Sequence, residues 1–401
     1  MSIAPRPASG AQGVSGRDVK RPSFLCVHPH RELYGSDRTF LQSVRALKQR
    51  WPEARITVLL TGEGALTDAV RGVVDDVRTD DMFVLRRSHF GPKLIAQLPK
   101  LLQRIAKARR MMAQYDVTYL NTVTILDYML ASRTRRKPVL IHIHELPTGV
   151  TRTAFSALLR MCNAVLIYIS AATRAGYDGL DDKPGVIVWN GTQPKPDLPY
   201  RSAPGTLNLL LIGRFNAWKG QPLLLEALAL LTPEERARLA VRLVGSVYEG
   251  QDHFRAAIDE RIATLGLADC VSVMPFIPDP IEHYAWADVV AVPSIEPEPF
   301  GLVAIEAMAS GRAVMAAGHG GLAEIVVDGE TGAQVTPGDP AALCDAIRRY
   351  LADPTLAPAQ GAAGKRRFTA CFDEAIYMRG IADAAALLLA GKVPPPLPKV
   401  G

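Results

Sequence analysis

The chain has 401 residues, of which 48% are hydrophobic and 21% charged. That places it among globular proteins of about two to three domains, and no apolar run approaches the roughly 18 residues of a membrane-spanning helix. The formal charge of +6 is unevenly placed: residues 1–195 hold 29 Lys and Arg against 16 Asp and Glu, a net +13, and the remainder 17 against 24, a net −7. Such asymmetry points to an anionic partner or surface for the first half, or to a basic face that serves only solubility. Five cysteines, odd in number and far apart, read as reduced thiols of a cytoplasmic protein and not as a disulfide framework or zinc site.

Residues 1–22 are small and basic without an apolar core, so they read as a disordered arm and not as a signal peptide. Phe24–His28 is the first expected strand, followed by the loop HPHRELYGSDR and an amphipathic helix over Thr39–Gln49. After a second strand, Ile56–Leu60, the segment TGEGAL is a weak match to a dinucleotide fingerprint, with Thr67 in the sixth position. Ser88–Gln114 reads as a long helix with an aliphatic stripe (Leu94, Ile95, Leu98, Leu101, Leu102, Ile105) and six cations mostly off it (Lys93, Lys100, Arg104, Lys107, Arg109, Arg110). Such a helix suits an anionic membrane surface; the alternative packs the stripe on the sheet. Asp116–Asn121, Val139–His144, Ala164–Ser170 and Gly185–Trp189 complete a set of short, β-branched strands that alternate with helices. That alternation predicts a doubly wound parallel sheet.

The proline-rich stretch Gln193–Gly205 marks a linker, placed at 197–206, between a first domain over 23–196 and a second over 207–375. The second domain repeats the alternation with strands at Leu207–Ile212, Val241–Val244, Val271–Phe276, Asp288–Pro293, Ala313–Ala316 and Ala333–Val335. A helix over 376–391 is expected to cross back to the first domain, and 392–401 (KVPPPLPKVG) to be a mobile tail.

Three constellations in the second half carry chemistry. Arg214 ends a strand and Lys219 stands just before the helix Pro222–Leu231, so two cations flank a helix N-terminus, which suits a diphosphate. Between a strand and the helix Leu302–Ala309, Glu298 and Glu306 lie eight positions apart. With Glu306 six residues into that helix, roughly 9 Å of rise, the carboxylates suit two hydroxyl-rich ends of one extended ligand better than one shared proton. Gly311 stands where a helix end favours positive φ. Further on, His319-Gly320-Gly321 with Glu324 offers paired glycines through which backbone could approach a ligand.

In order, GRF…KG, VPSIEPEPFGLVAIEAMASGRAV and GGLAEIVVDGETGAQVTPGD resemble the retaining nucleotide-sugar glycosyltransferases of family 4 (glycosyl transferases group 1), with Glu298 and Glu306 matching the E-x7-E motif. HIHEL resembles the segment that carries the family's active-site histidine, here His144; IYISAATRAGY and WNGTQP resemble segments leading to the interdomain hinge. The resemblance implies a GT-B fold, two Rossmann-like domains facing across a cleft. It implies His144, Arg214, Lys219 and Glu298 as catalytic, with Glu298 on the hexose and Glu306 on the ribose. It implies Gly35, Gly213, Phe300, Gly301 and Leu302 as further donor contacts. Tyr34, Ser36, Asp37 and Arg38 are expected on the acceptor side, although YGSDR departs from the family's usual Gly-Gly-x-Glu loop. His28, His30 and His142 read as positioning or packing residues.

The implied substrates are a nucleoside-diphosphate sugar and a hydroxyl acceptor, lipid-linked if the basic helix meets a membrane, with no nucleic-acid partner. No cofactor and no metal are expected, because no Asp-x-Asp is present and the two cations stand where a metal would neutralise the leaving diphosphate. Same-face attack, as the resemblance implies, gives retention without a carboxylate nucleophile. Another GT-B enzyme, such as an epimerase or phosphorylase, and a non-catalytic sugar-nucleotide sensor remain as rival readings.

Overall fold

The computed structural model describes residues 21–33, 35–85, 97–203 and 205–398. Its first sheet is built from β1 (Ser23–Val27), β2 (Arg55–Leu60), β3 (Asp76–Thr79), β4 (Val117–Leu120), β5 (Val139–Ile143), β6 (Ala164–Tyr168) and β7 (Gly185–Ile187). The second contains β8 (Leu207–Ile212), β9 (Leu239–Gly245), β10 (Val271–Pro275), β11 (Val289–Val292), β12 (Ala313–Ala317) and β13 (Gly332–Val335). All pairings between these strands are parallel, in the orders β3-β2-β1-β4-β5-β6-β7 and β10-β9-β8-β11-β12-β13. Each order reverses once, at β1/β4 and at β8/β11, and such a switch point opens a crevice at the strands' carboxyl ends. The expected doubly wound α/β architecture is therefore present twice.

Strand composition explains the buried sheets. β4, β5, β6, β11 and β12 are buried at every position, as parallel strands covered on both faces must be. β3, which the sequence reading passed over, reads DVRT and has two exposed positions, the usual state of a charged edge strand.

Two chain segments cross between the domains side by side. Thr192 N donates to Phe372 O at 3.0 Å, and Glu374 N donates to Thr192 O at 3.0 Å. Past that crossing, a helix over Glu374–Leu389 packs Tyr377, Ile381, Ala384 and Ala385 among Phe24, Phe40 and Val44 of the first domain. The linker is anchored to the second domain by Arg312, which is fully buried. Its guanidinium donates to Tyr284 O at 2.8 Å, Leu198 O at 2.9 Å and Pro199 O at 3.0 Å, and lies 4.3 Å from the Tyr200 ring centre.

Several expectations change. The terminal segment read as mobile is held along its described part: Arg174 Nη2 donates to Leu397 O at 2.8 Å, Pro396 bridges Pro184, and Leu397 packs on the first core. Prolines cannot donate, but the carbonyls beside them still accept. The basic helix covers Leu98–Met112; residues 86–96, with Lys93, Leu94 and Ile95, lie outside the described residues. Gly64 of TGEGAL serves packing, since a Cβ there would lie 2.5 Å from Arg31 O.

Candidate active site

At the second switch point the chain leaves β8 through Gly213 and returns into α7 (Gln221–Ala229) through Gly220. Gly220 has φ 82°, and a Cβ on it would stand 2.1 Å from Pro293 O. Only glycine lets the β8 loop cross so tightly over the end of β11, which brings Lys219 against the loop 294–300. There Lys219 Nζ donates to Glu298 Oε1 at 2.8 Å, and Ser294 Oγ donates to the same oxygen. Glu298 is 6% exposed. A buried carboxylate is tolerable because it is paired and hydrogen-bonded. His319 Nε2 donates to Ser294 O at 2.9 Å and ties the next loop to this one. Arg214 instead stacks its guanidinium 3.3 Å from the centre of the Tyr248 ring.

Gly301, with φ 137°, precedes the helix Leu302–Ala309, and Gly311 follows it with φ 68°, the positive value expected there. Glu306 is half-buried and accepts from Tyr284 OH at 2.9 Å. Burial raises its pKa, opposed by that hydrogen bond and by Arg38 and Lys195. The two glutamates thus differ in kind: one is locked to a lysine, the other bonded to a phenol. Gly320 and Gly321 approach protein and not an open crevice. A Cβ on Gly320 would lie 2.5 Å from Glu298 O, and one on Gly321 2.4 Å from Phe300 Cα.

At the first switch point, His28 follows β1, Asn121 follows β4 and His144 follows β5. Asn121 joins them. Its Nδ2 bonds His28 Nδ1 at 3.1 Å and Ser36 O at 3.4 Å, while its Oδ1 accepts from Tyr119 OH at 2.8 Å and bonds His144 Nε2 at 3.0 Å. His28 Nε2 lies 2.8 Å from Asp37 Oδ1. Burial, with His28 nearby, pushes the His144 pKa down to about 3, against a raising effect of Asp37. Burial also lowers His28 and His142. This cluster is neutral imidazole at physiological pH.

The first-loop residues are placed differently from expectation. Ser36, Asp37 and Arg38 lie in the first turn of α1 (Gly35–Arg50), not in a loop. Asp37 is 3% exposed and directed at His28 and His30, so its carboxylate is used inside the fold and not toward an acceptor. Tyr34 lies outside the described residues. His28, His30 and Asp37 bring three ligand-type atoms within 4.8 Å of one another. Asn121 Nδ2, however, donates to His28 Nδ1, which leaves the proton on His28 Nε2 and no lone pair there for a metal ion.

The domains meet beside both crevices. A Cβ on Gly35 would lie 3.4 Å from Leu302 Cδ1. Ser170 Oγ donates to Pro299 O at 2.6 Å. The Glu324 carboxylate accepts from Ala171 N at 3.0 Å, Ala172 N at 2.8 Å and Trp189 Nε1 at 3.2 Å. Glu324 therefore works as an interdomain clasp. Sequence reasoning missed Asn121, Ser294, Tyr284 and Tyr248. Asn121 could have been found, because it ends a strand at the switch point, where polar side chains gather.

Two Rossmann-like domains that face each other through their switch-point crevices define the GT-B class. Residues 200–367 match the family Glycosyl transferases group 1. HepE of Anabaena, solved with UDP and glucose, superposes with a TM-score of 0.73 over 91% of this chain and 100% of that one, at 23% identity. Sucrose-phosphate synthase of Thermosynechococcus elongatus gives 0.70 over 93% and 100%, at 24% identity. These likenesses are of fold. In sequence, D-inositol 3-phosphate glycosyltransferase of Geodermatophilus obscurus is 40% identical over 169 residues, 41% of this chain. The lipopolysaccharide core biosynthesis mannosyltransferase LpcC of Rhizobium leguminosarum bv. viciae is 36% identical over 169 residues, 42% of this chain. The chain spans 36% of the first of these relatives and 47% of the second.

Proposed function

We propose that this chain is a retaining, metal-independent glycosyltransferase that moves a hexose from a nucleoside-diphosphate sugar to a hydroxyl acceptor. The observation that carries the reading is the Lys219–Glu298 pair, 2.8 Å long, at the switch-point crevice beside the N-terminus of α7. A lysine so placed meets a diphosphate where negative charge develops as the anomeric bond breaks, and stabilisation at that point lowers the barrier. Arg214 adds the second cation. Glu298, when Lys219 turns to phosphate, is left to accept from hexose hydroxyls, and Glu306 holds the ribose. His144, a neutral imidazole, takes a hydroxyl of the sugar. The neighbour solved with UDP and glucose and the relatives named for sugar transfer support a sugar-nucleotide donor. The test is turnover of radiolabelled nucleotide sugars in the presence of chelator, with the anomeric configuration of the product read by NMR. Release of free sugar without an acceptor would favour the epimerase or phosphorylase reading, and binding without turnover the sensor.

We infer further that the acceptor is lipid-linked and met at a membrane surface. Leu101, Ala108 and Met112 of the helix Leu98–Met112 are buried in the first core, while Leu98 and Leu102 stay 49% and 58% exposed. Arg104 and Lys107 pair with Asp81 and Asp80, whereas Arg109 and Arg110 are exposed. The exposed leucines and these two arginines, which have no ion pair among the described residues, are the part of the helix suited to anionic lipid, each cation contributing about 1 kcal/mol. Cosedimentation with anionic vesicles should fall with salt and in the Leu102→Ser, Arg109→Gln, Arg110→Gln variant. Equal partitioning onto neutral and anionic vesicles rejects the inference.

A further inference from the structure

The hydrogen-bond polarity around Asn121 can be worked out without seeing a proton. The Asp37 carboxylate only accepts, so His28 Nε2, 2.8 Å away, carries a hydrogen. His28 is neutral, because it is buried at 1% exposure and its pKa is lowered. Its Nδ1 is therefore bare and needs a donor, and the atom facing it at 3.1 Å must be the amide nitrogen of Asn121. A second observation fixes the same amide: the atom 3.4 Å from Ser36 O faces a carbonyl and must also be nitrogen. The two anchors lie on different groups and agree. The other end of the amide is then Oδ1, which accepts from His144 Nε2 at 3.0 Å and takes the single Tyr119 OH proton at 2.8 Å, so that His142 Nδ1 at 2.6 Å and Ser43 Oγ at 2.9 Å donate to the phenol oxygen in turn. His144 must place its single ring proton on Nε2. Its Nδ1 is left as an acceptor and forms no hydrogen bond among the described residues. All four hydrogen-bonding positions of the Asn121 amide are in use, and the residue is 1% exposed. A buried, fully satisfied amide has no alternative orientation of equal energy.

We propose that Asn121 is a positioning residue that locks His144 as the Nε2–H tautomer, so that Nδ1 accepts a hydrogen bond from a hydroxyl of the transferred sugar. This rests on the transferase reading above. The lock runs from Asp37 through His28 and the Asn121 amide to His144, so the inward-facing aspartate orients the histidine across three hydrogen bonds. The setting of one ring nitrogen by the bond its partner makes is a general device for fixing which nitrogen is left to react or to bind. Without it the neutral ring could present N–H to the sugar, and a hydroxyl would have to reverse its own donor role.

Two measurements test this. Ring nitrogen NMR of the histidine-labelled wild-type chain, with His144 assigned by its absence in His144→Gln, should show the Nε2–H tautomer. In Asn121→Ala or the less disruptive Asn121→Ser, the His144 signal should move toward a mixture of tautomers. The second measurement is a double-mutant cycle on kcat/KM. Asn121→Ser should lower turnover at least tenfold in the wild-type background and less than twofold in the His144→Gln background, because it acts through that ring. An Nδ1–H tautomer in the wild type, or equal losses in both backgrounds, overturns the proposal. If no nucleotide sugar is turned over by the wild type, the transferase reading falls and takes the hydroxyl partner of Nδ1 with it. The NMR result judges the tautomer lock independently of that outcome.

Discussion

The neutral state of His144 predicts how the protein responds to acid. In the unfolded chain this imidazole has the ordinary value of 6.5, and in the fold it is pushed down to about 3. A base whose folded pKa is depressed stays neutral in the native state while the unfolded state takes up a proton. Its contribution is therefore complete above pH 6.5 and is lost as the pH falls from 6.5 toward 3. At pH 5 the unfolded imidazole is almost fully charged and the folded one still neutral, which amounts to about 2 kcal/mol of lost stability from this one residue. Against a typical unfolding free energy of roughly 5–15 kcal/mol, that is measurable. Urea unfolding of the first domain, followed at pH 7 and pH 5, should show the wild type losing about 2 kcal/mol more than His144→Gln over that interval. Titrating groups away from this cluster act in both proteins and cancel in the difference, whereas His142, whose pKa His144 helps to lower, is partly relieved in the variant and adds to the contrast. Equal losses in the two proteins would mean that His144 titrates normally in the fold, and the argument from its burial would be wrong.

Other consequences are as direct. Lys219→Ala should lower kcat/KM at least tenfold, about 1.4 kcal/mol or more, and should also destabilise the fold by leaving the buried Glu298 without its cation; unchanged turnover removes it from the diphosphate site. Glu306→Gln should weaken the bare nucleoside diphosphate by calorimetry, whereas Glu298→Gln should mainly disturb selection between hexoses; identical nucleotide affinities in the two variants end that division. Arg312→Leu should cost about 3 kcal/mol or more, because the buried carbonyls Tyr284 O and Ala285 O and the linker carbonyls Leu198 O and Pro199 O lose their donor; a melting temperature equal to the wild type's would refute the anchoring of the linker. Glu324→Ala should cost about 1–3 kcal/mol in charge-assisted bonds and widen the scattering profile; an unchanged profile and stability would show that the clasp carries nothing.

The fold was legible because parallel sheets announce themselves. Segments such as VLIHI and VVAV are continuous apolar runs, and twelve of the thirteen strands can be located from them. β3 was hidden because an edge strand has one side free and tolerates DVRT. In the second domain the placement of Arg214, Lys219, Glu298 and Glu306 about one crevice was equally open to reading, since all four lie in or just after glycine-punctuated loops, Glu306 in the helix that Gly301 introduces. What Gly220 and Gly320 do was not legible: the backbone each approaches, Pro293 and Glu298, belongs to another loop. In the first domain His144 was named from the resemblance, but its connection to His28 through Asn121 was hidden for a related reason. His28, Asn121 and His144 lie 93 and 23 residues apart in sequence, and sheet order alone makes them neighbours. The YGSDR segment misled because its aspartate was read as facing the acceptor, and only the register of α1 turns Asp37 toward His28.

The two crevices share a topology and differ in electrostatic character, a difference that suits the proposed two-substrate site. On the second domain a cation and a carboxylate are paired at 2.8 Å, so that in the proposed transferase an arriving diphosphate would take Lys219 while the carboxylate turned to sugar hydroxyls. On the first domain burial lowers the pKa of three histidines, so that in the proposed lock Nδ1 of His144 is a neutral acceptor. A charged imidazole there would compete with Lys219 and Arg214 for the diphosphate and pull the donor out of line. A neutral one can orient the sugar without attracting the phosphate. The division follows from burial of the histidines on one side and from the Gly220 crossing, which holds Lys219 against Glu298, on the other. Reversing either, by charging the first crevice or by uncoupling Lys219 from its loop, should separate donor binding from turnover.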